Sequence, residues 1–371
     1  MRKIIIYPFD IYSVPYIRHS SLIDDSEIIG AVSPRGWGFC GKDACVADGG
    51  DNTGIIVSDN FEDALDICDT VLFIQSETPL DFEKQIYPKI KTAINKKKSI
   101  INMLQLDNIT IQEVQELCSD KNISFTNYYL HKEKQPPLII QKEYLFEICK
   151  PVVFVLGLCE GTHKFEIQLS LREKFINEGY RVCQIGSRNS CEFLGFHSFP
   201  DFMYSKDILE SNKIVLFNHF VKQIEKRENP DVIMIGIPGG IMPINNNITN
   251  RFGILAYEVC QAVTPDSAIL SIHYSDFDKE FLEKLLTNVR YKFNIEVNCY
   301  NLANKKLDMI DSENNYEAHL ITIDHRYIEN KKTQFNALNI PVYNVLSMED
   351  RNKMTELVLN VLSKYGCIEY V

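Results

Sequence analysis

The chain has 371 residues, enough for two or three domains with buried cores. A hydrophobic content of 45% with 24% charged residues excludes general disorder and a fibrous repeat. Lys plus Arg number 39 against 50 Asp plus Glu, and the resulting net charge of −11 opposes non-specific binding to phosphate backbones or anionic lipid, so neither nucleic acid nor a membrane is expected as a partner.

The first residues, Met1 to Tyr7, run straight into Pro8, Phe9 and Asp10. They are too short for a signal-peptide core and read as a first strand, and no later apolar run reaches the roughly 18 residues of a membrane span. Eleven cysteines, an odd number without any C-x-x-C pair, point to a reducing cytoplasm. The pairs nearest in sequence, Cys40 with Cys45 and Cys183 with Cys191, lack the further ligands of a four-ligand zinc pattern, so no metal site is expected.

Ile4 to Tyr7, Ile28 to Val32, Val71 to Gln75 and Ser99 to Asn102 read as strands, with helix-period segments Phe61 to Cys68, Asp81 to Lys97 and Thr110 to Lys121 between them. This alternation predicts a Rossmann-like parallel sheet over residues 1–135. The glycine- and aspartate-rich stretch Ser33 to Gly54 follows a strand. Its position, together with Tyr7 to Asp10, fits a ligand site beyond the strand ends, and a plain surface loop accounts for the same composition. It lacks a G-x-G-x-x-G placed at a strand-to-helix turn, so a dinucleotide site of the usual kind is not expected.

His131 to Pro137 is charged and ends in two prolines, which places an inter-domain linker between about 131 and 151. A second α/β alternation follows over 151–371. Its expected strands are Val152 to Leu156, Arg181 to Ile185, Val232 to Ile237, Ala268 to His273, Ile295 to Leu302, Ala318 to Ile323 and Pro341 to Val345. The expected helices are Lys164 to Asn177, Ser211 to Arg227, Ile254 to Val263, Lys279 to Val289 and Glu349 to Lys364. The fold class is therefore α/β in two domains, an N-terminal Rossmann-like parallel sheet and a C-terminal P-loop-like parallel sheet.

The most informative stretch is the apolar strand Val152 to Leu156, turning through Gly157 and Gly161 into a helix that begins at Lys164. Successive N–H groups and a helix N-terminus can surround a phosphate there, and the lysine can neutralise it. Gly157, Gly161, Thr162, His163 and Lys164 are the candidate cofactor-binding residues. The stretch departs from G-x-x-x-x-G-K-[ST] in three ways. Gly157 lies seven residues before Lys164, His163 stands where the pattern has glycine, and Phe165 stands where it has a magnesium-binding hydroxyl. Glu160 and Glu166 add carboxylates beside the helix start, and a helix cap in a domain without nucleotide binding is the plain alternative. The strand Val232 to Ile237 ends at Gly236 without the acidic residue of an active NTPase and opens into Gly239 and Gly240. Arg188, His197, Asp201, Gly239 and Gly240 are the candidate substrate-binding residues. Cys159 and His163 invite a nucleophile–base pairing that sequence proximity alone does not support, and His273, at a strand end, is a possible general acid or base.

The Rossmann-like half, the G-x6-K strand–loop–helix, the Pro200-Asp201-Phe202 loop and the Gly239-Gly240 turn together resemble the clostridial peptide-maturation-system proteins. Those are accessory proteins encoded with small ribosomal peptide precursors and radical-SAM enzymes. The plan is also similar to a broader family that includes D-glutamate N-acetyltransferases, whose G-T-x-x-x-x-G-K loop maps Gly157 and Lys164 onto its glycine and lysine. The resemblance implies a cytoplasmic protein that binds ATP, GTP or acyl-CoA, with a precursor peptide or a peptide-modifying enzyme as partner. Its chemistry is open between a P-loop-type transferase or NTPase and a non-catalytic scaffold. With Phe165 and Gly236 in place, magnesium is expected to contribute little.

Overall fold

The computed structural model describes residues 1–129 and 143–365. The expected linker around His131 to Pro137 lies outside the described residues. The chain forms two compact units, one of Met1–His131 with Asn189–Gly195, the other of Lys132–Arg188 with Phe196–Val371.

In the first unit the strands are β1 (Arg2–Tyr7), β2 (Ser26–Val32), β3 (Val57–Ser58), β4 (Thr70–Phe73), β5 (Ser99–Asn102) and β6 (Phe125–Asn127). Their order is β3-β2-β1-β4-β5-β6 with every pairing parallel, the doubly wound order of dinucleotide-binding sheets. Helix α1 (Val14–Arg18) follows β1, and α2 (Phe61–Ile67), α3 (Tyr87–Asn95) and α4 (Asn108–Asp120) connect the later strands. Phe61, Leu65, Ile90, Ile94 and Val114 on α2 to α4 pack with Ile5, Val71 and Phe73 of the sheet. The expected helix Asp81 to Lys97 begins instead as a π-helical turn, Phe82–Ile86, before α3, because Pro88 has no N–H to donate and is tolerated only in a first helical turn.

The glycine-rich stretch after β2 is held by its own carboxylates. Arg18 makes a bidentate pair with Asp48 at 2.8 and 3.0 Å, with both side chains buried. Asp43 accepts from the N–H groups of Cys45, Thr53 and Gly54. Partial burial raises the Asp43 pKa, but these hydrogen bonds outweigh it and bring the carboxyl down to about 2. Two of the aspartates that suggested a binding loop thus serve as internal ties.

The second unit contains β7 (Val152–Gly157), β8 (Val182–Ile185), β9 (Val232–Gly236), β10 (Ser267–Tyr274), β11 (Cys299–Leu307), β12 (Leu320–Thr322) and β13 (Val342–Tyr343). Their order is β12-β11-β10-β7-β9-β8, with β13 beside β11. All pairings are parallel except that of β12 with β11. The helices are α5 (Lys164–Asn177), α6 (Glu210–Glu228), α7 (Ile254–Ala262), α8 (Lys279–Phe293), α9 (Met309–Asn315), α10 (His325–Thr333) and α11 (Met348–Tyr365). The two-residue alternation along β7 sorts them into layers. Val153 and Val155 pack with Ile167 and Leu171 of α5 and with Met354 and Val358 of α11. Val152, Phe154 and Leu156 pack with Phe217 and Val221 of α6, Val259 of α7 and Leu282 of α8. The carboxyl end of the central strand β7 is therefore where the chain leaves the sheet to begin α5.

Candidate phosphate-binding site

The loop between β7 and α5 curls tightly on itself. A Cβ on Gly157 would meet the Lys164 side chain at 2.7 Å and the Cys159 carbonyl and Thr162 hydroxyl oxygens at 2.9 Å, so only glycine fits at the strand exit. Thr162 Oγ1 donates to the Cys159 carbonyl at 3.2 Å, and Leu158 N–H donates to the Ser271 carbonyl of β10 at 2.8 Å. Among the described residues, the N–H groups of Cys159, Glu160 and Gly161 make no hydrogen bond to backbone.

His163 caps α5 with φ 62° and ψ 22°, the left-handed conformation that favours glycine. At this position the departure from the usual pattern is thus one of side chain and not of backbone conformation, while the spacing from Gly157 to Lys164 stays one residue longer than the pattern. A 2.7 Å hydrogen bond between His163 Nε2 and Asn304 Oδ1 of β11 supports the histidine in this conformation. Below the loop, the Ser271 hydroxyl donates to the Thr162 carbonyl, and Asn301 Nδ2 donates to Ser271 Oγ at 2.8 Å. Ser271, Asn301 and Asn304 are fully buried. Ser271 and Asn301 are polar residues within largely apolar runs, the sequence signal by which their part of this support could have been found.

Lys164 is 3% exposed and its ammonium points into the loop. It donates to the Gly239 carbonyl and lies 3.4 Å from Glu160 Oε2, while the other Glu160 oxygen accepts the Gly239 N–H. A carboxylate therefore sits between a buried cation and a backbone donor, the two groups a phosphate oxygen would use. Gly240 presses on the same loop, since a Cβ there would meet the Leu158 carbonyl at 2.5 Å. Asn250 Nδ2 ties Leu158 O and Met242 O together at 3.2 and 3.0 Å. Asn250, Arg251, Phe252 and Gly253 are consecutive left-handed residues, a run that L-residues adopt only at a cost and that here holds the Gly239-Gly240 turn against the loop.

The structure gives a reason for the missing acidic residue at the end of β9. Gly236 lies directly under the Gln168 side chain, which would clash with any Cβ. Gln168 is fully buried and bonded to the Lys164 carbonyl at 3.0 Å, to Ser187 Oγ at 2.9 Å and to Ser187 N–H at 3.1 Å. A neutral amide from α5 thus fills the space where a carboxylate would project. Phe165 is buried, with the Arg188 guanidinium 4.3 Å above its ring.

Of the expected substrate residues, Gly239, Gly240 and Arg188 lie on or beside the loop. His197 lies elsewhere, at the edge of the sheet beside β8, where its Nε2 is 2.6 Å from Glu228. Asp201 is exposed at the start of a 3-10 turn, Asp201–Tyr204, and among the described residues its carboxylate makes no hydrogen bond or ion pair. Cys159 lies 3.7 Å from His273 Nδ1, whereas His163 bonds Asn304, so the imidazole beside this thiol is the one on β10. Burial pushes the Cys159 thiol up to about 12 and His273 down to about 4. The pair is neutral at physiological pH and holds no preformed thiolate. His273 also borders a cavity of about 480 Å³ beyond β7 and β10, lined by Leu158, Met242, Asp276, Phe277 and Lys306 among others.

The lowered His273 pKa has a consequence for stability. Because the folded value lies below the ordinary 6.5, the contribution is full above pH 6.5 and is lost as pH falls towards 4. Between pH 7 and pH 5 this group is expected to remove about 2 kcal/mol. His273→Gln should flatten that part of the urea-unfolding free energy against pH, and an unchanged slope would show that His273 takes up its proton without penalty.

Comparison with known protein families gives no match, and none of the curated proteins matches. Among solved structures, a DUF1611 family protein from Anabaena variabilis is similar over 98% of this chain and 100% of its own, with TM-score 0.61 and 11% identity. Over part of the chain, a GTPase from Pyrococcus abyssi aligns at TM-score 0.32 and 11% identity, covering 59% of this chain and 98% of its own. A probable dehydrogenase from Thermotoga maritima aligns at TM-score 0.27 and 10% identity, covering 50% of this chain and 46% of its own. The likeness to the Anabaena protein is one of fold, and it establishes that a solved structure carries this two-sheet α/β chain plan from end to end.

Proposed function

We propose that the loop Gly157 to Lys164 binds a phosphate group of a nucleotide or of CoA, and that the cavity beside His273 holds the peptide or amino-acid substrate. One observation carries the reading. A buried lysine ammonium and a backbone N–H from a glycine turn converge on an internal carboxylate at the mouth of a strand-to-helix loop. Glu160 is 62% exposed in its side chain and can swing into solvent, leaving its place to a phosphate. A role in ribosomal peptide maturation rests on the sequence resemblance, and capture of a precursor peptide by the purified chain is its test.

Thermal unfolding with ATP, GTP, acetyl-CoA or inorganic phosphate, each with magnesium and with EDTA, tests the phosphate site. A ligand at 100 times its Kd is expected to add about 2.7 kcal/mol of stability. The magnesium and EDTA arms should agree, because Phe165 offers no oxygen and Gly236 no carboxylate. A shift seen only with magnesium would assign the metal to another carboxylate, Glu166 or Asp201 first, and end the metal-poor reading. A second reading is favoured by Glu160 itself. With the cradle filled by the chain's own carboxylate, the protein serves as a scaffold for a peptide or a modifying enzyme, and the screen then returns no shift with any phosphate ligand while peptide capture persists.

A further inference from the structure

At the edge of the same sheet, two strands away from β7, three side chains of different chemistry meet. Cys183 projects from β8 towards α6, His197 lies beside the strand, and Glu228 is the last residue of α6. One donor atom from each, a sulfur, an imidazole nitrogen and a carboxylate oxygen, lies within 4.8 Å of both others. We propose that Cys183, His197 and Glu228 form a binding site for a thiophilic divalent cation, with zinc as the fitting ion.

Each ligand is anchored by backbone that other contacts fix. His197 N–H donates to the Gln184 carbonyl at 2.9 Å and its carbonyl accepts from Gly186 N–H at 2.7 Å, which docks the segment onto the strand edge. Cys183 is in register with Ile233 of β9. Glu228 is held by the helix end, where Asn229 turns left-handed and donates to the Glu225 carbonyl at 2.9 Å. The donor set suits zinc, which takes thiolate, imidazole and carboxylate at about 2.0 to 2.3 Å, whereas calcium and magnesium select oxygen ligands. Tetrahedral bonds of that length place neighbouring ligand atoms about 3.3 Å or more apart. The 2.6 Å contact of His197 with Glu228 therefore has to open by about 0.7 Å. Both side chains have room to do so, at 27% and 33% exposed, and a water can take the fourth position.

The competing cation is Arg227, whose Nη2 lies 3.0 Å from Glu228; its side chain is 61% exposed and can move into solvent. Cys183 loses its proton to solvent on binding, so the metal, the thiolate and the carboxylate replace a neutral thiol and an ion pair. Such a site would staple the edge strand β8 to α6. Spacing along the sequence hides it, since Cys183, His197 and Glu228 are separated by 14 and 31 residues and come from three different elements.

Cobalt titration of the chelator-treated full chain tests the proposal, because cobalt substitutes for zinc and reports its ligands by colour. One cobalt per chain is expected, with a thiolate-to-metal absorption in the near ultraviolet and intense visible bands of tetrahedral coordination. Cys183→Ser should abolish the ultraviolet band, and His197→Gln or Glu228→Gln should weaken binding at least tenfold while circular dichroism stays unchanged. Absence of the band in the unaltered chain overturns the proposal, as does a band that survives Cys183→Ser. Should Cys183→Ser fail to fold, the partly exposed His197→Gln and Glu228→Gln variants decide the matter, and undiminished cobalt affinity in both overturns it.

Discussion

Lys164→Ala is expected to weaken binding of the phosphate ligand by about 1.5 to 3 kcal/mol, the scale of hydrogen bonds to a charged group. Titration calorimetry with the ligand found in the thermal screen measures this. The ammonium is buried and already directed at the position of the Glu160 carboxylate, so a bound phosphate meets a cation that needs no reorientation. The variant should still fold, because the partners left behind are the largely exposed Glu160 and the carbonyl of the partly exposed Gly239, which water can solvate. Glu160→Gln should act in the opposite sense. It removes the internal competitor, leaves Lys164 with the Gly239 carbonyl, and is expected to lower stability in the absence of ligand while tightening phosphate binding. Phe165→Ala, next in sequence, should cost stability through packing and leave affinity nearly unchanged, since its ring lies beneath Arg188 and beside Phe196. Equal affinities for the Lys164→Ala variant and the unaltered chain would remove the phosphate site from this loop.

The parts of this architecture that repeat a simple period were legible in the sequence. β5 is observed at Ser99–Asn102 as expected, and β7, α5 and α6 differ from expectation by no more than one residue at either end. Apolar alternation and helical spacing encode such elements directly. β11 was expected over Ile295 to Leu302 and runs from Cys299 to Leu307, because its second half, Ala303-Asn304-Lys305-Lys306, reads as polar loop. Asn304 and Lys305 are nevertheless buried at 0% and 5%, and their hydrogen bonds to His163, Ile323 and Thr322 are tertiary and invisible to a local pattern. Helices α9 and α10 were missed for the related reason that few of their residues face the core. At the site, the glycines and Lys164 announced the loop, whereas Glu160 in the cradle and Gln168 beneath Gly236 depend on folding and could only be read once the strands were side by side.

Gly253→Ala is expected to cost about 2 to 5 kcal/mol, combining the penalty of a left-handed alanine with overpacking against fixed backbone. Gly253 has φ +70°, and a Cβ there would fall on the Ile241 carbonyl group. That carbonyl has little freedom to retreat. It accepts the Lys292 ammonium at 2.9 Å, and the Ile241 N–H donates to the Gly157 carbonyl at 3.1 Å, so moving it pulls on the strand exit that begins the phosphate loop. Gly239, whose carbonyl holds Lys164, is two residues before Ile241. The substitution should therefore lower phosphate affinity as well as stability. Gly179→Ala supplies the control, because Gly179 has φ +89° with nothing within 4 Å of its Cβ position and should lose only the conformational penalty of about 1 to 2 kcal/mol. Urea unfolding of the two variants separates the contributions. If Gly253→Ala proves no more costly than Gly179→Ala, the contact with Ile241 is not tight and the turn is free to move independently of the loop.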